Sequence, residues 1–269
     1  MSQPPNDNMT FTPEDVRGLA MRCLAGDAEA HLLRDKDGRV VYRASAGPAR
    51  TVIVKLLPVP PFPRRLRQAV RVRRMAREAR LIDLLVAHEV RVPRMLGYAT
   101  LPPQSCGPAY AKVVEDLGPG EDGMAYAQRC IHDADAARLL DFEQQVIDLT
   151  ARMIELAVFD TDHGIVNFHV TADGRAYRLD LDDARQAVVP ALATRLYARM
   201  VGRLVATYAF TVQPDIARAN DFNQRLSQRL HFAPRVQRKA QAYIRRQLEE
   251  QRRRCGIDTR VDLPMASTG

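Results

Sequence analysis

Two acids and an amide in the stretch Val158–Arg185 have the types and spacing that phosphate chemistry needs. Asp162 and Asn167 are five residues apart, and Asp180 follows thirteen residues after Asn167. Carboxylate and amide oxygens are hard ligands of the kind that magnesium takes in proteins. A carboxylate beside them can orient or deprotonate a hydroxyl group. Together, the three side chains could position a hydroxyl and hold magnesium.

The stretch reads as a strand, a turn and a second strand. An apolar run at Phe168–Val170 precedes the polar turn Ala172–Gly174, and a second strand is predicted over Ala176–Leu181. Asp and Asn favour turns because their side chains bond to nearby backbone groups. Turn formation accounts well for Asp173. It accounts poorly for Asp180, which is predicted at the end of an otherwise apolar strand.

Two charged residues upstream lie on elements that could serve the same chemistry. A D-G turn within Asp35–Gly38 predicts a hairpin, and the β-branched run Thr51–Leu57 predicts a strand that carries Lys55. The segment 64–88 has helical periodicity, and Glu78 lies in its strongly basic part. Charge relief for neighbouring arginines is the simple alternative for Glu78.

A glycine- and proline-containing segment, residues 115–120, predicts a hinge between two lobes. The predicted organisation is a disordered N-terminus at 1–12, an N-lobe at 13–117, a helical C-lobe at 118–254 that contains the hairpin 158–185, and a tail at 255–269. Helices are predicted near residues 13–25, 64–88, 134–140, 141–157, 191–210, 216–230 and 235–254.

This order of elements resembles the protein-kinase-like superfamily over about residues 28–210. The resemblance implies an α+β fold, with a small antiparallel N-lobe that carries one long helix and a mainly helical C-lobe. It assigns Lys55, in V-I-V-K, to the nucleotide phosphates and Glu78, in R-E-A-R, to holding that lysine. The run V-V-E-D-L resembles the adenine-binding hinge of aminoglycoside- and choline-kinase-like proteins, and places Glu115 and Leu117 there.

The same resemblance assigns roles in the C-lobe. Asp162 matches the catalytic aspartate, and Asn167 and Asp180 match the magnesium ligands, so ATP and Mg²⁺ are the implied cofactors. His163 could contact a phosphate or cap the turn.

Several departures from the kinase pattern bear on the substrate. Asp160-Thr161-Asp162 replaces H-R-D, Gly38 alone stands in for the glycine-rich loop, and Asp180-Leu181-Asp182 replaces D-F-G. No A-P-E or long activation segment follows, which favours a small-molecule or glycan acceptor over a peptide. The sequence L-D-L-D-D-A-R and the basic helix resemble the bacterial lipopolysaccharide (Kdo or heptose) kinase branch. The predicted activity is therefore an ATP-dependent kinase acting on a sugar or glycolipid hydroxyl.

Two other functions fit part of the sequence. The thin glycine loop and Asp160 are compatible with a pseudokinase-like regulatory protein that keeps the fold without turnover. The net charge of +8 and the arginine-rich segments 64–80 and 235–254 favour an anionic partner: nucleic acid, anionic lipid or a phosphorylated glycan. Solvated helix faces are the alternative. Tyr243 is the only aromatic residue in these two segments, so nucleic acid is disfavoured, and an anionic membrane surface contacting Arg64–Arg80 is the other partner expected.

The remaining composition bears on the compartment. The four cysteines are scattered without a C-x-x-C pair, as expected for free thiols in a reducing cytoplasm. No apolar run approaches the roughly 18–20 residues of a membrane span, and the N-terminus lacks the pattern of a signal peptide. We therefore expect a cytoplasmic protein, or one peripheral to the inner face of the cytoplasmic membrane.

Overall fold

A computed structural model describes residues 10–36, 38–47, 50–58, 64–102, 108–189 and 193–255. Most of the predicted disordered N-terminus and nearly all of the predicted tail lie outside these residues. The chain divides into two units: Met1–Leu84 with Pro93–Leu117, and Leu85–Val92 with Gly118–Gly269.

The first unit is an antiparallel sheet with helices. Its elements are α1 (Pro13–Leu24), β1 (Ala30–Lys36), β2 (Arg39–Ser45), β3 (Thr51–Pro58), most of α2 (Arg64–Ala87), β4 (Met95–Thr100) and β5 (Pro108–Glu115). The strand order is β1-β2-β3-β5-β4, and every neighbouring pair is antiparallel. The predicted hairpin, the lysine-bearing strand and the long helix are all present.

One face of this sheet forms a core with α1. Alternate residues of β3 (Val52, Val54 and Leu56) are fully buried in a cluster with Val16 and Leu19 of α1, because successive strand side chains point to opposite faces. Helix α1 begins with a capping box, in which the side chains of Thr12 and Asp15 bond each other's backbone N–H groups. The other residues of β3, including Lys55, belong to the opposite face.

The second unit is mainly helical. Its elements are the end of α2, β6 (Gly120–Asp122), α3 (Gly123–His132), α4 (Ala136–Glu155), β7 (Val158–Phe159), a 3₁₀ turn (Ile165–Asn167), β8 (Phe168–Thr171), β9 (Ala176–Arg178), β10 (Arg185–Gln186), α5 (Thr194–Thr211), α6 (Ile216–Leu230) and α7 (Pro234–Cys255). Strands β6, β8 and β9 form one small sheet, and β7 pairs with β10. None of the described helices is both long enough and apolar enough to cross a bilayer.

Three elements of this unit differ from the sequence-based predictions. Residues 134–140 and 141–157 form the single helix α4, because Asp135 caps it by accepting from the Arg138 N–H. Helix α3 was not predicted, although Asp122 caps it in the same way. Strand β9 ends at Arg178, so the predicted strand Ala176–Leu181 is too long.

Helices α5 and α7 approach closely at Gly202. A Cβ atom built there would lie 2.6 Å from the Tyr243 Cβ and 3.2 Å from the Ala240 carbonyl oxygen. These contacts are too short for any side chain unless α7 moves. Gly18, in α1, has open space around the same position.

We expect Gly202→Ala to lower the free energy of unfolding by roughly 1–3 kcal/mol, because the added methyl group overpacks the α5–α7 contact. The matched change Gly18→Ala should raise it by roughly 0.5–1 kcal/mol, because alanine loses less entropy in a helix. Denaturant unfolding followed by circular dichroism measures both. If Gly202→Ala were as stable as the unmodified protein, the close helix approach would be wrong.

Candidate active site

Asp162 and Asn167 lie together on the loop that joins β7 to β8. The Asn167 Nδ2 donates to the Asp162 main-chain oxygen at 2.7 Å and to its Oδ2 at 3.3 Å. The side chain of Asp162 is 56% exposed, so its carboxylate is open to a substrate. Since the Asn167 amide nitrogen is used on Asp162, its Oδ1 is the atom available as a metal ligand.

Asp180 comes directly after Leu179, which the β8–β9 pairing holds against Asn167. The Leu179 N–H donates to the Asn167 carbonyl oxygen at 2.8 Å, one residue beyond the last pair of the ladder. Asp180 has a φ of +53°, in the left-handed region that costs a non-glycine residue roughly 1–3 kcal/mol. Such strain persists where the surroundings over-determine a conformation, as they often do at functional sites.

The donor set of Asn167 and Asp180 suits magnesium, which commonly takes one or two protein oxygens and completes its shell with phosphates and water. Among the described residues, no three His, Cys, Asp or Glu side chains form a cluster that could hold a metal alone. The assignment of these two residues to Mg²⁺ stays a prediction.

The buried guanidinium of Arg178 holds this loop from inside. All five of its N–H donors are used. They reach the Asp160 carboxylate, the main-chain oxygens of Asp162 (3.3 Å), Asn167 (2.9 Å) and Leu179, and the His163 Nδ1 (3.0 Å). Arg178 therefore holds the main chain at the candidate catalytic residue Asp162, at Asn167 and at Leu179.

Asp160 and Asp162 have different environments despite their proximity in sequence. Asp160 is completely buried, pairs with Arg178, and accepts from the Asp162 N–H at 2.9 Å. Burial raises the pKa of the Asp160 carboxyl, while the Arg178 charge opposes that rise. Burial likewise lowers the pKa of Arg178. Asp160 is therefore an internal anchor, and Asp162 is the carboxylate that a substrate can reach.

His163 neither caps the turn nor faces a phosphate, because its side chain is completely buried. Its Nδ1 accepts from Arg178, so the proton is on Nε2, which donates to the Thr150 Oγ1 at 2.9 Å. The Thr150 hydroxyl donates in turn to the Val146 carbonyl oxygen at 2.7 Å. Burial, aided by the Arg178 charge, holds the pKa of His163 well below its ordinary value of 6.5.

Helix α5 contacts the loop at Ile165 and at Asp162. The Thr207 Oγ1 accepts from the Ile165 N–H at 2.9 Å, and the Arg203 guanidinium lies 3.3 Å from the Asp162 Oδ1. Arg203 also donates to the Gln247 Oε1 of α7 at 2.8 Å. A cavity of about 550 Å³ opens here, lined by Thr161, Asp162, Asp183, Arg195, Arg199, Arg203, Tyr243, Arg246, Gln247 and Glu250.

In the first unit, Glu78 of α2 pairs with a lysine that the sequence analysis did not consider. The Lys112 Nζ lies 2.8 Å from the Glu78 Oε1, and both side chains are buried. Lys112, on β5, is the cross-strand partner of Lys55 on β3, so both lysines belong to the same face of the sheet. The predicted role of Lys55 at the nucleotide phosphates stays a prediction.

The predicted hinge residues are held to the sheet of the first unit. Glu115 accepts from the Arg94 N–H through its Oε2 at 3.1 Å, and its own N–H donates to the Arg94 oxygen at 2.9 Å. Asp116 accepts from Arg43 at 3.1 Å and from the Thr51 hydroxyl at 2.7 Å. Leu117 is half-buried. The roles of Glu115 and Leu117 at the adenine remain predictions.

Sequence reasoning missed three contributors to these sites: Arg178, Lys112 and the arginines of α5. The first two were visible as charged residues at inward positions of apolar strands, where period-2 alternation calls for an apolar side chain. The arginines of α5 recur every four residues, which places them on one face of the predicted helix.

No protein-family model and no curated protein matches this chain. Solved structures do match, and one of them is WaaP in complex with acyl carrier protein. It is 19% identical, the match covers 85% of this chain and 91% of that chain, and the TM-score is 0.55. The chain has a protein-kinase-like fold. At this identity the likeness shows the fold alone, and 1465 chains of solved structures match in all, so function must be argued from the site.

The Glu78–Lys112 pair can be tested by a double-mutant cycle. Lys112→Met removes the ammonium that the buried Glu78 carboxylate contacts, and should lower the free energy of unfolding by about 3–5 kcal/mol. The double change Lys112→Met with Glu78→Leu should recover most of that loss, because no buried charge is left behind. Lys36→Met, at an exposed position of β1, is the control. Equal stability of the Lys112 and Lys36 variants, measured by denaturant unfolding, would refute the buried pair.

His163 should make stability depend on pH. Because its pKa is lowered on folding, the unfolded chain binds a proton that the folded chain refuses. Its stabilisation is therefore complete above about pH 6.5 and declines as the pH falls below that value. We expect His163→Gln to reduce the drop in melting temperature between about pH 7.5 and pH 5.5, whereas His132→Gln, at an exposed position, should leave it unchanged. The same drop in all three proteins would contradict the buried neutral imidazole.

Proposed function

We propose that this chain is an ATP-dependent phosphotransferase that phosphorylates a sugar hydroxyl. The observation that carries the proposal is the exposed Asp162 carboxylate at the edge of a cavity, on a loop whose backbone Arg178 fixes from within. Phosphoryl transfer needs mainly charge neutralisation and in-line placement, and a fixed carboxylate beside an open cavity supplies the placement.

Asp162 would act as the base of this reaction. Its carboxylate accepts the proton of the acceptor hydroxyl, and the acceptor oxygen forms a bond to the γ-phosphorus as the bond between that phosphorus and the leaving ADP oxygen breaks. Magnesium, held by Asn167 and Asp180, would neutralise phosphate charge. Arg203 orients Asp162 from the side of the cavity, since it lies 3.3 Å from the Oδ1.

The first unit would supply the nucleotide contacts that the kinase resemblance assigns to Lys55, Glu115 and Leu117. The Glu78–Lys112 pair adds a second lysine to that proposal, on the strand next to Lys55. The pair holds the Glu78 carboxylate and the Lys112 ammonium at the face of the sheet that carries Lys55. The electrostatic potential at that face therefore depends on both lysines.

The finer proposal is that the acceptor is a sugar or glycolipid, such as a lipopolysaccharide core sugar. The sequence L-D-L-D-D-A-R and the basic helix α2, which resemble the bacterial lipopolysaccharide kinase branch, support this acceptor. Residues 181–193 are all that separate Asp180 from the start of α5, which leaves no room for the long activation segment with which protein kinases dock peptides.

A cytoplasmic location, with a peripheral position on the inner face of the membrane, belongs to the same proposal. A glycolipid acceptor would be met at that surface. Arg73, Arg77 and Arg80 of α2 are exposed or partly exposed and could face anionic headgroups, while the side chains of residues 64–72 lie outside the described part of the chain.

A pseudokinase-like regulatory protein is the second candidate. The β1–β2 turn contains one glycine, Gly38, where active kinases cover the phosphates with several. Asp160 also stands where many kinases have the histidine of H-R-D. This candidate keeps nucleotide binding and lacks turnover.

Asp162→Asn should decide between them, because it removes the base and keeps the side chain's shape. We expect Mg-dependent conversion of ATP to ADP to fall by roughly 10²–10⁴-fold while ATP binding by calorimetry is unchanged. Asp173→Asn, at an exposed turn of the same hairpin, is the control.

Two results would count against the enzyme. Turnover by Asp162→Asn equal to that of the unmodified protein would remove the assignment of the base. ATP binding without any turnover in the unmodified protein would favour the pseudokinase.

A further inference from the structure

The cavity beside Asp162 has an arginine-rich wall of its own, which the kinase chemistry does not require. Helix α5 contributes Arg195, Arg199 and Arg203, and α7 contributes Arg246. All four line the same space of about 550 Å³ as Asp162. Guanidinium groups are the side chains best suited to phosphate and carboxylate, because their planar fork matches those oxygens.

Two of these arginines bond to other residues of the protein, and two do not. Arg203 bonds to Asp162 and Gln247, and Arg195 donates to the Tyr243 hydroxyl at 3.4 Å. By contrast, Arg199 and Arg246 are exposed, and within the described part of the chain neither forms a hydrogen bond or an ion pair with another residue. Asp183 and Glu250 also line the cavity, but neither carboxylate bonds to Arg199 or Arg246. These two guanidinium groups are therefore open to an anionic ligand.

The spacing on α5 places these cations relative to the reacting group. Arg203, which touches Asp162, lies four residues from Arg199, or about 6 Å along the helix axis. Arg195 lies a further turn away, so the row extends about 12 Å from the candidate base. A charged substituent that lies about 6 Å from the hydroxyl at Asp162 would therefore be within reach of Arg199.

We propose that this cavity is the acceptor site and that it selects an anionic saccharide, whose phosphate or carboxylate group binds Arg199 and Arg246 while a hydroxyl reaches Asp162. The inference rests on the proposed phosphotransfer and adds the charge of the substrate to it. A neutral sugar would leave both guanidinium groups without a partner and would bind weakly.

The test uses the full chain and three probes of similar size: glucose 6-phosphate, glucuronate and glucose. Calorimetry in the presence of magnesium and a non-hydrolysable ATP analogue should show binding of at least one charged probe and none of glucose. The double variant Arg199→Gln with Arg246→Gln should weaken that binding by roughly 10- to 100-fold, because two charge-assisted contacts are lost. Arg245→Gln, exposed on α7 and outside the cavity lining, is the matched control and should leave binding unchanged.

The charged probes identify the source of the anion: preference for glucose 6-phosphate indicates a phosphorylated sugar, and preference for glucuronate indicates an acidic sugar. The inference is overturned if the charged probes bind no better than glucose, if the double variant binds them as well as the unmodified chain, or if Arg245→Gln weakens them equally. It is also overturned if the double variant no longer binds the ATP analogue, because the two arginines would then contact the nucleotide rather than the acceptor. Failure of the unmodified chain to bind the ATP analogue would instead refute the proposed function, so the two failures are distinguishable.

Discussion

The candidate active site depends on one buried ion pair, Arg178 with Asp160. Both side chains are fully buried, and removing two charges from water is costly. The cost is offset because each N–H of the guanidinium has an acceptor. Three of these acceptors are main-chain oxygens: those of Asp162 and Asn167 in the loop, and that of Leu179 just after β9. A hydrophobic pair in the same place would fill the space without defining where those oxygens lie. The ion pair therefore determines where these main-chain oxygens lie more than it stabilises the fold.

The rest of the loop follows from this pair. The Asp160 carboxylate also accepts the Asp162 N–H, so the exposed acid has its backbone anchored from both directions. His163 extends the network to α4 through Thr150. It does so as a neutral ring, because burial first, and then the charge of Arg178, lowers the pKa of its imidazole. In this chain a buried carboxylate, that of Asp160, anchors the loop.

The sequence was most informative where function lies in local spacing, and least informative where it lies in tertiary pairing. Asp162 and Asn167 could be predicted to meet because a five-residue turn brings them together, and the antiparallel sheet followed from alternation and turn residues. Lys112 and Arg178 could not be placed, because a charged residue within a strand reveals that it needs a partner but not which one. The arginines of α5 were predicted to lie on a helix, but their common cavity exists only because α7 packs against it. The helix start predicted at Asp141 was wrong for a similar reason. Aspartate is a common helix cap, but α4 begins at Ala136, after the cap residue Asp135.

The close approach of α5 and α7 at Gly202 packs α7 against the helix that borders the catalytic loop. Helix α7 supplies Tyr243, Arg246, Gln247 and Glu250 to the cavity, while the bonds that anchor the catalytic loop come from Arg178, α4 and α5. Among the described residues, Arg203 is the side chain that links the two sets, bonding Asp162 on one side and Gln247 on the other. Substitutions in α7 can therefore alter one wall of the cavity without removing the bonds that Arg178, α4 and α5 make to the catalytic loop.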